Sequence, residues 1–134
     1  MKIMAALDLS DNAYADFVMI KAIKTAKQQN AKMDIVVVAE NSGNEDATSA
    51  VRSYQGKAFA QGVTAKVRVL SGNSAAEEIL KYQQSERLDL IVLGRRSHKS
   101  QAGFPMGAVS QRVAAYATCT VMVVRCMEEK DLLD

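Results

Sequence analysis

Five short apolar runs, separated by stretches of helical periodicity, constrain this chain more than any single residue does. Ile3–Leu7 comes first, then Ile35–Ala39, a segment from Val63 to Val69, Leu90–Leu93 and Val121–Val124. Between the first two, Ala15, Val18, Met19, Ala22, Ile23 and Ala26 recur at helical spacing, with Lys21, Lys24 and Lys27 on the other face. Ser10 or Asp11 is a candidate cap for that helix. Strands alternating with helices predict a parallel α/β sheet with right-handed crossovers.

The runs differ in a way that predicts their positions. Ile35–Ala39 is continuous and β-branched, as a strand buried on both faces must be. Val63, Ala65, Val67 and Val69 alternate with Thr64, Lys66 and Arg68, which leaves one face wet and places this strand at a sheet edge. A weaker helix over Asp46–Ala60 precedes it, after the loop Asn41-Ser42-Gly43-Asn44. Gly43 and Gly72 read as turn residues. Ser74-Ala75-Ala76-Glu77 has the form of a capping box, with Ser74 and Glu77 each satisfying the other's backbone donor. The helix it opens directs Ala76, Ile79, Leu80 and Gln83 to the core.

The last strand, Val121-Met122-Val123-Val124, is apolar on both faces, and little chain follows to cover it. At a sheet edge it would expose unpaired backbone and apolar side chains, which natural proteins avoid. Pairing with a second copy across a two-fold axis hides both, so a homodimer through Val121–Val124 is expected. Cover by the tail or a helix is the other solution.

A length of 134 residues suits one domain, here 1–126, followed by a charged tail over 127–134. The net charge of +2 supplies no global field toward nucleic acid or membrane, and neither is expected as a partner. The apolar run at Met1–Leu7 is too short for a signal peptide or a membrane span. Cys119 and Cys126 lack metal-type spacing, and a reduced, cytoplasmic setting fits them.

Chemistry concentrates between the fourth strand and the helix after it. Gly94 ends the apolar run, Arg95-Arg96-Ser97-His98-Lys99 follow, and Gly107-Ala108 open a helix that carries Val109, Val113, Ala114, Tyr116 and Ala117. Backbone N–H groups, a positive helix end and basic side chains at one point are what a phosphate needs. The same loop read as a solvated surface segment, or as a patch for an acidic protein partner, needs no ligand. His98 is the only histidine, without a Cys–His, Ser–His or paired-carboxylate arrangement, so catalysis lacks its usual parts. No metal-ligand cluster is evident, and magnesium would arrive only with a nucleotide. Asp8, just after the first strand, reads on its own as a helix-proximal cap.

The order of these segments resembles a universal stress protein domain, and the resemblance covers essentially the whole chain. Lys2–Asp8 with Ser10 is similar to the family's first strand and turn, with Leu9 in place of a glycine. Val67-Arg68-Val69-Leu70-Ser71-Gly72 and Ala75-Ala76-Glu77-Glu78-Ile79 resemble the third strand and its helix. Asp89-Leu90-Ile91-Val92-Leu93-Gly94, Gly107-Ala108-Val109-Ser110-Gln111-Arg112-Val113 and Cys119-Thr120-Val121-Met122-Val123-Val124 resemble the fourth strand, the next helix start and the last strand. The resemblance implies an open five-stranded, Rossmann-like parallel sheet in the order 3-2-1-4-5 with helices on both faces. It also implies a homodimer through the last strand, and ATP bound between strands one and four, where open α/β sheets hold ligands.

ATP-binding members read Gly, two residues, Gly, nine residues, Gly, then Ser or Thr. Here Gly94 and Gly107 match, the nine residues His98–Met106 keep the spacing, Ser97 replaces the second glycine and Ala108 the hydroxyl. A left-handed Ser97 costs roughly 1 kcal/mol. Losing a hydroxyl bond to a charged partner costs roughly 1.5–3 kcal/mol, or ten- to a hundredfold in affinity. Arg95, Arg96, His98 and Lys99 supply compensating charge, with Ser100 and Ser110 nearby. By resemblance Asp8 contacts the nucleoside and the Val38 backbone the adenine ring. The implied nucleotide set is Asp8, Val38, Gly94, Arg96, Ser97, Gly107, Ala108 and Val109. The function implied is that of a homodimeric sensor in the stress response that binds ATP or a related adenine nucleotide weakly and is not an enzyme. A nucleotide-free dimerisation and interaction module of the same family is the second reading. An enzyme for a phosphorylated or adenylated substrate is the third.

Overall fold

The computed structural model describes residues 1–9, 12–39, 44–95 and 107–125. Strands and helices alternate as β1 (Lys2–Leu7), α1 (Asn12–Gln29), β2 (Lys32–Ala39), α2 (Asn44–Ala60), β3 (Ala65–Ser71), α3 (Ala75–Glu86), β4 (Leu90–Gly94), α4 (Ala108–Tyr116) and β5 (Thr120–Val124). All strand pairs are parallel, and the sheet order is β3-β2-β1-β4-β5. This is the architecture expected from the sequence.

The pleat divides each central strand between two cores. Ile3, Ala5 and Leu7 of β1, Met33, Ile35 and Val37 of β2, and Leu90 and Val92 of β4 pack with α1 and α2 on one face. Met4, Ala6, Val36, Ile91 and Leu93 pack with Ala76 and Ile79 of α3 and Val113 of α4 on the other. Both faces of β1 and β4 are therefore dry, which explains their uninterrupted apolar runs. The edge strand β3 alternates in burial, as its sequence does.

Helices α1, α2 and α3 end alike. Asn30, Gly62 and Arg87 take left-handed φ values of 51°, 81° and 52°. The next residues, Ala31, Val63 and Leu88, donate their N–H groups to Ala26, Ala58 and Gln83 at 2.9–3.0 Å. These are Schellman closures, and all three donors are buried apolar residues that lead the chain back into the sheet.

Three local expectations change. β2 begins at Lys32, three residues before its apolar run, because Asp34 is buried within it. The Asp34 carboxylate accepts from Tyr82 Oη at 2.6 Å and lies 3.7 Å from Lys66 Nζ, so a charge is tolerated inside the sheet layer. The capping box is half made. Ser74 Oγ accepts from Glu77 N at 3.3 Å, but the Glu77 carboxylate turns to Arg112 on α4 at 3.0 Å. Finally, of the apolar residues on α4 only Val113 is buried, while Val109, Ala114 and Tyr116 are exposed beside the open edge strand. The candidate caps Ser10 and Asp11, the turn residue Gly43 and Cys126 lie outside the described residues.

Candidate functional site

Adjacent strands β1 and β4 send their chains to opposite faces of the sheet, β1 into α1 and β4 toward α4. Opposed departures open a crevice at the carboxyl ends of the two strands. Asp8 lies one residue past β1 and is exposed. Leu9 packs against the α1/α2 core, so the residue that replaces the family's glycine is anchored in apolar contacts. Leu7 and Val37 make the last β1–β2 pair. Val38 is one step further and pairs only with Leu70 of β3, and its half-buried side chain packs into the α3/α4 core.

Across the crevice, Gly94 ends β4 opposite Val124 of β5. Arg95 N donates to Val124 O at 2.8 Å. The Arg95 carbonyl then accepts twice, from Gly107 N at 2.9 Å and from the Ser110 hydroxyl. The same Ser110 Oγ lies 3.1 Å from Gly107 O, so its single proton is shared between two carbonyls. Arg95 and Gly107 are thus fastened to each other at the tip of β4. Arg96 and Ser97, with His98, Lys99 and Ser100, fall outside the described residues.

Gly107 is the N-cap of α4, extended at φ −74° and ψ 166°, with no side-chain cap bond. Any residue adopts those angles, so left-handed freedom is not what a glycine supplies here. Gln111 N closes the first helical turn on Gly107 O at 3.0 Å. The N–H groups of Ala108 and Val109 start the helix with no cap bond from the Gly107 position, which has no side chain, and both residues are exposed. Ser110 is the residue whose role the sequence reading left open. Its three-residue spacing from buried Val113 is the signal that it points inward.

Chemically, the crevice sets main-chain donors and a positive helix end across from a carboxylate at Asp8. That arrangement suits a ligand with an anionic end and a hydroxylated end. The shifted titrations lie elsewhere. Burial, and then donation to Asp16 at 2.7 Å, pushes the Tyr54 phenol well above its ordinary range. Burial and donation to Asp34 do the same to Tyr82. Burial, and then the charge of Asp89, raises the thiol of Cys119. Among the described residues no group of three or more His, Cys, Asp or Glu side chains could hold a metal ion, and no helix is long and apolar enough to cross a membrane.

The model of the universal stress protein family matches residues 1–125. The curated universal stress protein YxiE of Bacillus subtilis is 24% identical over 148 aligned positions, which cover 92% of this chain and 98% of that protein. Among solved structures, universal stress protein UspA from Lactobacillus plantarum superposes with a TM-score of 0.84 at 22% identity, covering 93% of this chain and 97% of the other. The universal stress protein from Archaeoglobus fulgidus in complex with dAMP superposes with a TM-score of 0.69 at 20% identity, covering 92% and 96%.

Proposed function

Because this chain belongs to the universal stress protein family, we propose that it binds ATP or a related adenine nucleotide weakly in the β1/β4 crevice and acts as a non-enzymatic sensor in the cytoplasmic stress response. The observation that carries this reading is the open start of α4, held against β4 by the Arg95 carbonyl and the Ser110 hydroxyl. Main-chain N–H groups of Ala108 and Val109, with Gly94, Arg96, Ser97 and Gly107 beside them, form the phosphate side. Asp8 accepts from nucleoside hydroxyls, and the backbone of Val38 meets the base. The dAMP complex of the Archaeoglobus relative supports an adenine nucleotide as the ligand class. Magnesium enters only on the nucleotide's phosphates.

Ser110 is the positioning residue in this reading, since it sets where the first turn of α4 begins. Ala108 is where affinity is lost, because it offers no hydroxyl to a phosphate oxygen. The sensor acts as a homodimer through β5, whose four residues Val121–Val124 are only half-buried in the single chain.

A second reading, a nucleotide-free dimerisation and interaction module, draws on the same departures. Leu9, anchored in the core, departs from the family's glycine while keeping the fold, and Ala108 without a hydroxyl weakens the grip on phosphate. Calorimetric titration of ATP separates the two. The sensor reading expects heat from the wild-type chain at micromolar or weaker affinity, and a gain of ten- to a hundredfold in Ala108→Ser. Silence from the wild type, with binding restored only in the Ser97→Gly/Ala108→Ser double variant, decides for the module.

A further inference from the structure

Helices α1 and α2 lie side by side on one face of the sheet, and a cleft of about 710 Å³ runs between them. None of the nucleotide-site residues lines it. On the α1 side the lining residues, from Asp16 through Met19, Ile20 and Ile23 to Lys27, recur at three- and four-residue intervals and so share one flank. That flank extends about 16 Å along the helix. Its apolar surface is unusually open, for Ile20 is 65% exposed while Met19 beside it is fully buried.

The charges are distributed unevenly. Asp16 is engaged at one end, accepting from Tyr54 Oη at 2.7 Å and lying 3.8 Å from Lys57 Nζ. Lys57 also sits 5.0 Å over the Tyr54 ring. Lys24 and Lys27, one turn apart toward the other end, are exposed and make no ion pair among the described residues. Two ammonium groups at three-residue spacing can reach the same anion. The cleft therefore combines a long apolar wall with a pair of unneutralised cations.

We propose that this cleft binds a long-chain fatty carboxylate, its acyl chain along Met19, Ile20 and Ile23 and its carboxylate between Lys24 and Lys27. The volume lies within the usual range for small-ligand pockets, roughly 300–1,000 Å³. The shape argues against a partner helix. Such a helix is about 10–12 Å across. Here α1 and α2 touch through the Tyr54–Asp16 bond, so a third helix could rest on the groove but not enter it. A flexible alkyl chain fits a cleft along one helix flank, and a single negative head matches two lysines that make no ion pair among the described residues.

The test is a titration of sodium myristate, kept below its micelle concentration, into the full chain, followed by methyl and amide NMR. Saturable shifts confined to Met19, Ile20, Ile23 and the lysine-bearing turn are expected. Lys24→Glu with Lys27→Glu should weaken binding by about tenfold or more, while arginine at both positions should retain it. Both lysines are exposed, and unchanged thermal melting of the variants confirms that the fold is kept. Equal binding of decyltrimethylammonium, which has a chain but the opposite charge, would overturn the proposal. So would affinity unchanged by charge reversal. Co-sedimentation with anionic vesicles without a response to monomeric myristate would assign the patch to a membrane surface instead. Shifts caused only by an acidic helical peptide would assign it to a protein partner.

Discussion

Tyr82 on α3 donates its hydroxyl to the buried carboxylate of Asp34 in β2, 2.6 Å away and 48 residues earlier in the chain. Replacing Tyr82 with phenylalanine removes that donor and leaves the carboxylate with the ammonium of Lys66, 3.7 Å away, as its partner among the described residues. A buried acceptor stripped of its partner costs about 1–3 kcal/mol. The urea midpoint of Tyr82→Phe should fall accordingly with the slope unchanged. Lys66→Met should cost less, about 1 kcal/mol or below, since Lys66 is half exposed and divides its charge with Glu86 at 3.2 Å.

Alkaline pH should weaken the fold through the same bond and its counterpart at Tyr54. Both phenols are pushed up, first by burial and then by donation to a carboxylate. An unfolded tyrosine titrates near pH 10. A folded pKa above the unfolded one means the stabilisation is complete below about pH 10 and is lost as pH rises beyond it. Denaturant midpoints should therefore be level across this contribution up to about pH 9.5 and decline above 10. The decline should be shallower in Tyr54→Phe.

Arg87 holds the left-handed position that Gly62 and Asn30 hold at the other two helix ends. A side chain in that conformation costs about 1–2 kcal/mol. Glycine relieves the strain and loses about 0.4–1 kcal/mol to the freer unfolded chain. Arg87→Gly should thus stabilise the protein by about 0.5–1 kcal/mol, seen as a higher melting temperature. A loss of stability would mean that the exposed arginine makes a contribution beyond this turn.

At the far edge, Val123→Asp places a charge on a half-buried strand that has no strand neighbour on one side among the described residues. Sedimentation velocity should show a dimer for the wild type and a monomer for the variant, with the wild-type melting temperature dependent on concentration. An unchanged profile would remove β5 as the interface.

The parts of the fold legible in the sequence were those that burial writes periodically. The stripe from Ala15 to Ala26, the alternation in β3 and the unbroken runs in β1 and β4 each follow from which faces are dry. Asp34 broke that code, because its burial depends on a hydroxyl that arrives from α3. The apolar residues of α4 misled in the opposite sense. Val109 and Tyr116 look like core positions, yet that helix lies by the β5 edge of the sheet, and both side chains are exposed among the described residues. In the candidate site, spacing located Gly94 and Gly107 at the two ends of the crossover. The fastening of both ends through one carbonyl at Arg95 could not be read, since main-chain bonds leave no mark on residue identity.

Helix α4 rests on two buried side chains, Val113 and Ser110, whereas α1 is rooted by Ala15, Val18, Met19, Ala22 and Ala26. Free energies of local opening follow such differences, so the amides of α4 should exchange with deuterium well before those of α1. One wall of the crevice then belongs to a helix held less firmly than α1. A ligand gripping the start of α4 meets a closed fraction below one, and its apparent affinity is reduced by that fraction. Occupancy and closure reinforce each other. A change at Val113, on the buried side of the helix, would register as a change in affinity.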